Sequence, residues 1–140
     1  MRILLSLMLT MLMLLPASGQ EAGTETPWRD TITGQIEALR AADGAAALAF
    51  AGAAFRSTYK DDPAKFASDI LRTGYGPIAQ SRSHSFGAFR QVGPGAAVQV
   101  VEFVDRDGKV WEALYQLADE DGEGWRVEGV VLRGTQGIGV

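Results

Sequence analysis

The 140-residue sequence predicts an α+β domain, helices first and an antiparallel sheet after. Three observations carry this. Between Pro27 and Gly74, apolar residues recur at helical spacing and are punctuated by capping residues. From Tyr75 onward, β-branched and aromatic residues alternate with polar ones between glycine turns. The two regions follow one another instead of interleaving as they do in a βαβ protein.

The first segment is expected to be an export signal rather than part of the fold. Arg2 supplies a positive charge, residues 3–15 are almost wholly apolar, and Pro16-Ala17-Ser18-Gly19 offers the small residues of a cleavage site. That apolar run is well short of the ~20 residues a membrane-spanning helix needs. Residues 1–19 therefore read as a cleaved signal peptide, with a periplasmic or secreted destination and no membrane contact afterwards. Residues 20–26 read as a polar spacer, 27–134 as one domain and 135–140 as a flexible, glycine-spaced tail. A mature chain of about 120 residues can bury a full core without covalent staples.

Three helices are expected. Thr26-Pro27 opens the first, with a hydroxyl cap and proline at the first helical position. Trp28, Ile32, Ile36 and Leu39 then form one apolar stripe. Asp43 caps an alanine-rich second helix over residues 44–54, carrying Leu48 and Phe50. Asp62-Pro63 starts the third, with Phe66, Ile70 and Leu71 apolar and Gly74 as its C-terminal cap.

Four to five strands are expected, near residues 78–82, 85–92, 97–105, 109–118 and 125–133. The turn Asp105-Arg106-Asp107-Gly108 suits a type I turn ending in a glycine bulge. That geometry pairs Val104 with Val110, Phe103 with Trp111 and Glu102 with Glu112. Val101, Phe103, Trp111, Ala113, Tyr115 and Leu117 then share one face, which the helices should cover. Val98, Val100, Glu102, Val104, Val110, Glu112 and Leu114 share the other.

Composition narrows the chemistry. The chain has no cysteine, which excludes disulfides, thiolate metal sites and a thiol nucleophile. Its net charge of −4 and the lack of any Lys/Arg cluster argue against nucleic-acid binding. Phosphate-loop and dinucleotide glycine patterns are absent, and no G-x-S-x-G elbow is present. One histidine, His84, with no ligand-spaced carboxylates predicts no metal site and no cofactor. Its serine neighbours do not make a triad, and it reads as a surface-strand residue.

Several local patterns together resemble a known family: Ile36-x-x-Leu39 leading to Asp43 and the Ala45–Phe50 stretch, Tyr75-Gly-Pro-Ile78, Gln99-Val-Val, Asp107-Gly with Trp111 and Tyr115, and Trp125-Arg-Val ahead of Leu132. They resemble the bacterial domain of unknown function 4864 family, within the nuclear transport factor 2-like superfamily. The resemblance spans residues 31–134. It implies a cystatin-like cone, a curved antiparallel sheet wrapped over helices, often with a pocket at its wide end and often dimeric. It implies no reaction, since that fold hosts isomerases, dehydratases and plain binding modules alike.

Two sets of residues are candidates for function. Tyr75, Phe103, Trp111 and Tyr115 are expected to line an apolar pocket with polar tips; the bland alternative is that they fill the core. Val98, Val100, Glu102 and Glu112 are expected to form a partner surface on the outer sheet face. Glu102 and Glu112 face each other as like charges, for which Arg90 or Arg126, a bound cation or a shared proton offers compensation, or both lean into solvent. An isomerase would need a carboxylate base on the inner face, where the strands supply none, leaving only helix carboxylates such as Asp69 or Glu37. The expected function is thus a non-catalytic exported module binding a small apolar ligand or a protein partner. An isomerase- or dehydratase-type enzyme, or a dimerising structural domain, stands as the alternative.

Overall fold

A computed structural model describes residues 25–121 and 124–135. The expected signal peptide, nearly all of the spacer and the tail beyond Thr135 lie outside the described residues.

Helix α1 (Trp28–Arg40) buries the predicted stripe of Trp28, Ile32, Ile36 and Leu39. It starts after Pro27, and Thr26 caps it through its carbonyl, which accepts from Arg29 N at 3.0 Å, not through its hydroxyl. Asp43 caps α2 (Gly44–Ala49) as expected, accepting from Ala46 N at 3.0 Å. The second helix stops five residues earlier than its composition suggests. Phe50 O accepts from Val127 N at 2.8 Å and Gly52 N donates to Val127 O at 2.9 Å, so Ala51 pairs in parallel with the last strand. The remainder becomes a separate helix, α3 (Ala53–Tyr59), none of whose residues is fully buried.

Asp62 and Pro63 open α4 (Pro63–Ile70) in the predicted manner, with Lys65 N donating to Asp62 Oδ1 at 3.3 Å. A π-helical turn (Leu71–Tyr75) follows, broken by Gly74 at φ +99°, the left-handed conformation expected of a capping glycine. The chain then enters a one-turn helix, α5 (Gly76–Ala79), with proline at its start. The strand expected at 78–82 is therefore absent: Ile78 and Ala79 are buried helical residues. Among the described residues five α-helices stand where three were expected.

The four strands, β1 (Ser83–Gly93), β2 (Ala96–Val104), β3 (Val110–Glu120) and β4 (Gly124–Gly134), form one antiparallel meander in sequence order. The β2–β3 register is the predicted one, including Phe103 opposite Trp111 and Glu102 opposite Glu112. Its turn closes through Gly108 N to Asp105 O at 3.1 Å, with Gly108 at φ +81°. Asp105 Oδ1 accepts from the backbone of Asp107 and Lys109, both at 2.9 Å. Bulges interrupt β1–β2 between Phe86 and Phe89 and β3–β4 between Gln116 and Leu117, and such bulges bend a sheet.

The helices cover the predicted inner face. Val101, Phe103, Ala113, Tyr115 and Leu117 are buried against Trp28, Ile32, Ile36 and Leu48. One inner residue was not anticipated as part of this core. Gln99 is wholly buried: its Oε1 accepts from Trp28 Nε1 at 2.9 Å and Arg29 Nε at 3.1 Å, and its Nε2 donates to the Gly87 carbonyl at 3.0 Å. It ties the start of α1 to the β1 bulge. Arg29 completes that corner by lying over the Phe86 and Phe89 rings.

Candidate functional site

The helices do not fill the concave face of the sheet completely. A cavity of about 280 Å³ remains between α1, α3, α4 and the π-helical turn on one side and β3–β4 on the other. Its apolar wall comes from Leu39, Phe55, Phe66, Ile70, Ile78 and Val127. Phe66 meets the Tyr59 ring edge-on at 5.3 Å between centroids, and Phe55 lies tilted to it at 6.1 Å.

Three tyrosines contribute rings to this wall, and their hydroxyls are used differently. Tyr59 donates to Asp69 Oδ2 at 2.8 Å. Tyr75 donates to the Val130 carbonyl at 2.9 Å. Tyr115 is 1% exposed, and among the described residues its hydroxyl has no hydrogen-bond partner. Burial pushes its ionisation far above the usual tyrosine range, so it stays a neutral donor. Gln35, also buried on the cavity wall, spends its amide nitrogen on the Ala47 carbonyl at 3.2 Å; its Oε1 accepts from no described residue.

Asp69 is the one carboxylate among the described lining residues. Lys65 Nζ reaches it at 2.6 Å, and Tyr59 and the Arg72 guanidinium donate to it as well. These three donors, Lys65 foremost, hold its carboxyl well below the usual range. A carboxylate so stabilised is a poor general base.

The residues singled out from the sequence divide. Tyr75 and Tyr115 meet at the cavity; Phe103 and Trp111 do not line it. Phe103 is sealed in the core, stacked obliquely on Tyr115 at 6.4 Å. Trp111 belongs to the hairpin turn, donating its indole N–H to Asp105 Oδ2 at 2.9 Å with Lys109 Nζ over its ring. Sequence reading missed Gln35, Phe55, Phe66 and Val127 as wall residues. The helical stripes marked some of them as buried, yet only the tertiary arrangement leaves space between them.

On the outer face, Val98 and Val100 are half-buried, Glu102 is exposed, and Leu114 and Val131 are exposed apolar residues. Glu112 is compensated by Arg133, its neighbour on β4, which donates through Nε at 3.1 Å and through Nη2; neither Arg90 nor Arg126 fills that role. His84 is not a plain surface residue. It is half-buried on the inner side, edge-on to Phe86 at 5.6 Å, with Arg40 Nη2 3.3 Å from Nδ1. Burial first, and the Arg40 charge second, lower its pKa. Glu37 is an exposed α1 residue and does not line the cavity. Among the described residues no three of His, Asp and Glu converge as metal ligands would.

A four-stranded antiparallel meander covered on one face by N-terminal helices is a cystatin-like architecture. The family profile of the Domain of unknown function DUF4864 matches residues 22–140, and the chain belongs to that family. Its structure is similar to that of a domain of unknown function with a cystatin-like fold from Nostoc punctiforme PCC 73102. The TM-score is 0.55 at 16% identity, over 79% of this chain and 76% of that one. It is also similar to a nuclear transport factor 2-like superfamily protein from Salmonella enterica serovar Typhimurium LT2, with TM-score 0.45 and 18% identity, over 79% of this chain and 90% of that one. No curated protein matches the sequence.

Proposed function

We propose that this protein is an exported, non-catalytic binding module that takes a small, mostly apolar ligand into the cavity under its helices. The observation that carries the reading is the cavity itself, about 280 Å³ with a mainly apolar wall and a Tyr115 hydroxyl that no described residue satisfies. A site of this kind removes an apolar body from water and orients it by a few polar groups. Asp69, held as an anion by three donors, argues for binding over isomerase- or dehydratase-type catalysis. Export rests on the charged, apolar and small-residue segments of residues 1–19.

Native mass spectrometry of protein purified from its source cells tests this. A mass increment of a small molecule, lost in a Val130→Phe variant that fills the cavity, is the expected result. A bare chain, together with no binding of any apolar probe, would overturn it.

The outer sheet face supports a second reading, a homodimer. Leu114 and Val131 are 38% and 61% exposed beside Val98 and Val100, with Glu102, Glu112 and Arg133 among them. Sedimentation should show a concentration-dependent dimer that Val100→Glu abolishes; a monomer throughout would dispose of it.

A further inference from the structure

We propose that the cavity selects ligands that carry both a hydrogen-bond acceptor and a donor on an apolar body, a hydroxyl foremost, over hydrocarbons and over molecules that only accept. This deepens the binding reading above and rests on it. Two polar atoms on the wall are left unmatched. Tyr59, Tyr75 and Asp69 are all engaged within the protein. Tyr115 Oη has no partner among the described residues, and Gln35 Oε1 receives no hydrogen there. The orientation of the Gln35 amide is fixed by its neighbour, because the Ala47 carbonyl requires the N–H₂ end.

The two atoms ask for different things. Tyr115 is a hydroxyl donor, whereas Gln35 Oε1 is only an acceptor. A ketone or ether satisfies Tyr115 and leaves Gln35 unmatched. A ligand with both capacities, of which a hydroxyl or an amide is the simplest, can answer both. A carboxylate ion supplies no donor for Gln35 and would lose the water around its charge on entry, which is strongly unfavourable. Size sets the rest of the ligand. The cavity of about 280 Å³ is roughly twice the ~150 Å³ that accepts benzene in an engineered apolar cavity, so a substituted ring or a short branched chain fits.

Three probes of nearly equal size separate the terms: 4-propylphenol, its isomer 4-ethylanisole, which accepts but cannot donate, and propylbenzene. Binding is read by ¹⁵N chemical-shift titration of the full mature chain. The phenol should bind ~10-fold tighter than propylbenzene, with the anisole between them. In Tyr115→Phe the phenol's advantage should fall to within ~3-fold while propylbenzene binds as before, which also shows that the variant is folded. Equal affinities for phenol and propylbenzene, or an advantage untouched by Tyr115→Phe, would overturn the selectivity yet leave apolar binding standing. If none of the probes moves resonances of the cavity wall, both readings fall.

Discussion

Gln99 offers the sharpest test of how this fold is held. Gln99→Leu keeps a similar volume and removes every hydrogen bond the amide makes. Trp28 Nε1 then loses its acceptor in a site where the indole is 1% exposed, and Arg29 Nε loses its own. The Gly87 and Ala88 carbonyls at the bulge lose a donor, though they remain partly reachable by water. An unsatisfied buried N–H costs about 1–3 kcal/mol. The half-solvated carbonyls add less, and burial of the leucine returns about 1 kcal/mol. The net loss should be roughly 2–4 kcal/mol, which moves the urea midpoint by about 1–2 M for a domain of this size. Urea unfolding followed by far-UV circular dichroism reads it. A cycle with Trp28→Phe isolates the buried contact: Trp28→Phe should cost clearly less in the Gln99→Leu background than alone. A loss under ~0.5 kcal/mol, or strict additivity, would refute the assignment of Gln99 as the tie between α1 and the bulge.

Other expectations follow from the same contacts. Since the His84 pKa is lowered in the fold by burial and Arg40, the unfolded chain binds its proton more readily. The stability it contributes is complete above about pH 6.5 and is lost as pH falls through that value toward the folded pKa. His84→Gln should flatten the stability–pH curve as pH falls through about 6.5; an unchanged slope would show that His84 does not titrate differently in the two states. Gly44→Ala should destabilise by about 1–3 kcal/mol, because its new Cβ would lie 2.3 Å from the Pro63 carbonyl oxygen where α2 meets α4. Gly93→Ala, at the end of a strand with nothing within 4 Å of the added Cβ, should be neutral or stabilising by up to ~1 kcal/mol; thermal melts distinguish the two signs. Asp69→Asn should flatten the loss of stability below the ordinary carboxylate range, since the ion is favoured only in the fold.

The parts of the fold that were legible are those specified by neighbours in sequence. The Asp105–Gly108 turn sets the β2–β3 register because turn type and side-chain alternation have one joint solution. Asp43 and Asp62 cap helices through amides three residues on. What was not legible depends on distant partners. The second helix breaks at Ala51 because Val127 takes the backbone of Phe50 and Gly52, a contact no local pattern announces. Ile78-Ala79 reads as a strand start by alternation, yet Pro77 and the preceding Gly74 reverse the chain into a helical turn.

The site divides the same way. Tyr75 and Tyr115 were identifiable as inward aromatics, and strand parity says that Phe103 and Trp111 share that face. Parity cannot say that Asp105 captures the Trp111 indole or that helices press on Phe103 and leave room at Tyr115. Gln99 was visible in the same parity as a polar residue on an apolar face. Its partners, Trp28 and the bulge carbonyls, lie on other elements.

Crystals of the mature domain pressurised with xenon address the central claim, an apolar pocket beneath the helices, most directly. The account predicts xenon density between Phe66, Ile78 and the Tyr115 ring, diminished in Val130→Phe. Continuous side-chain packing there, with no xenon, would contradict it.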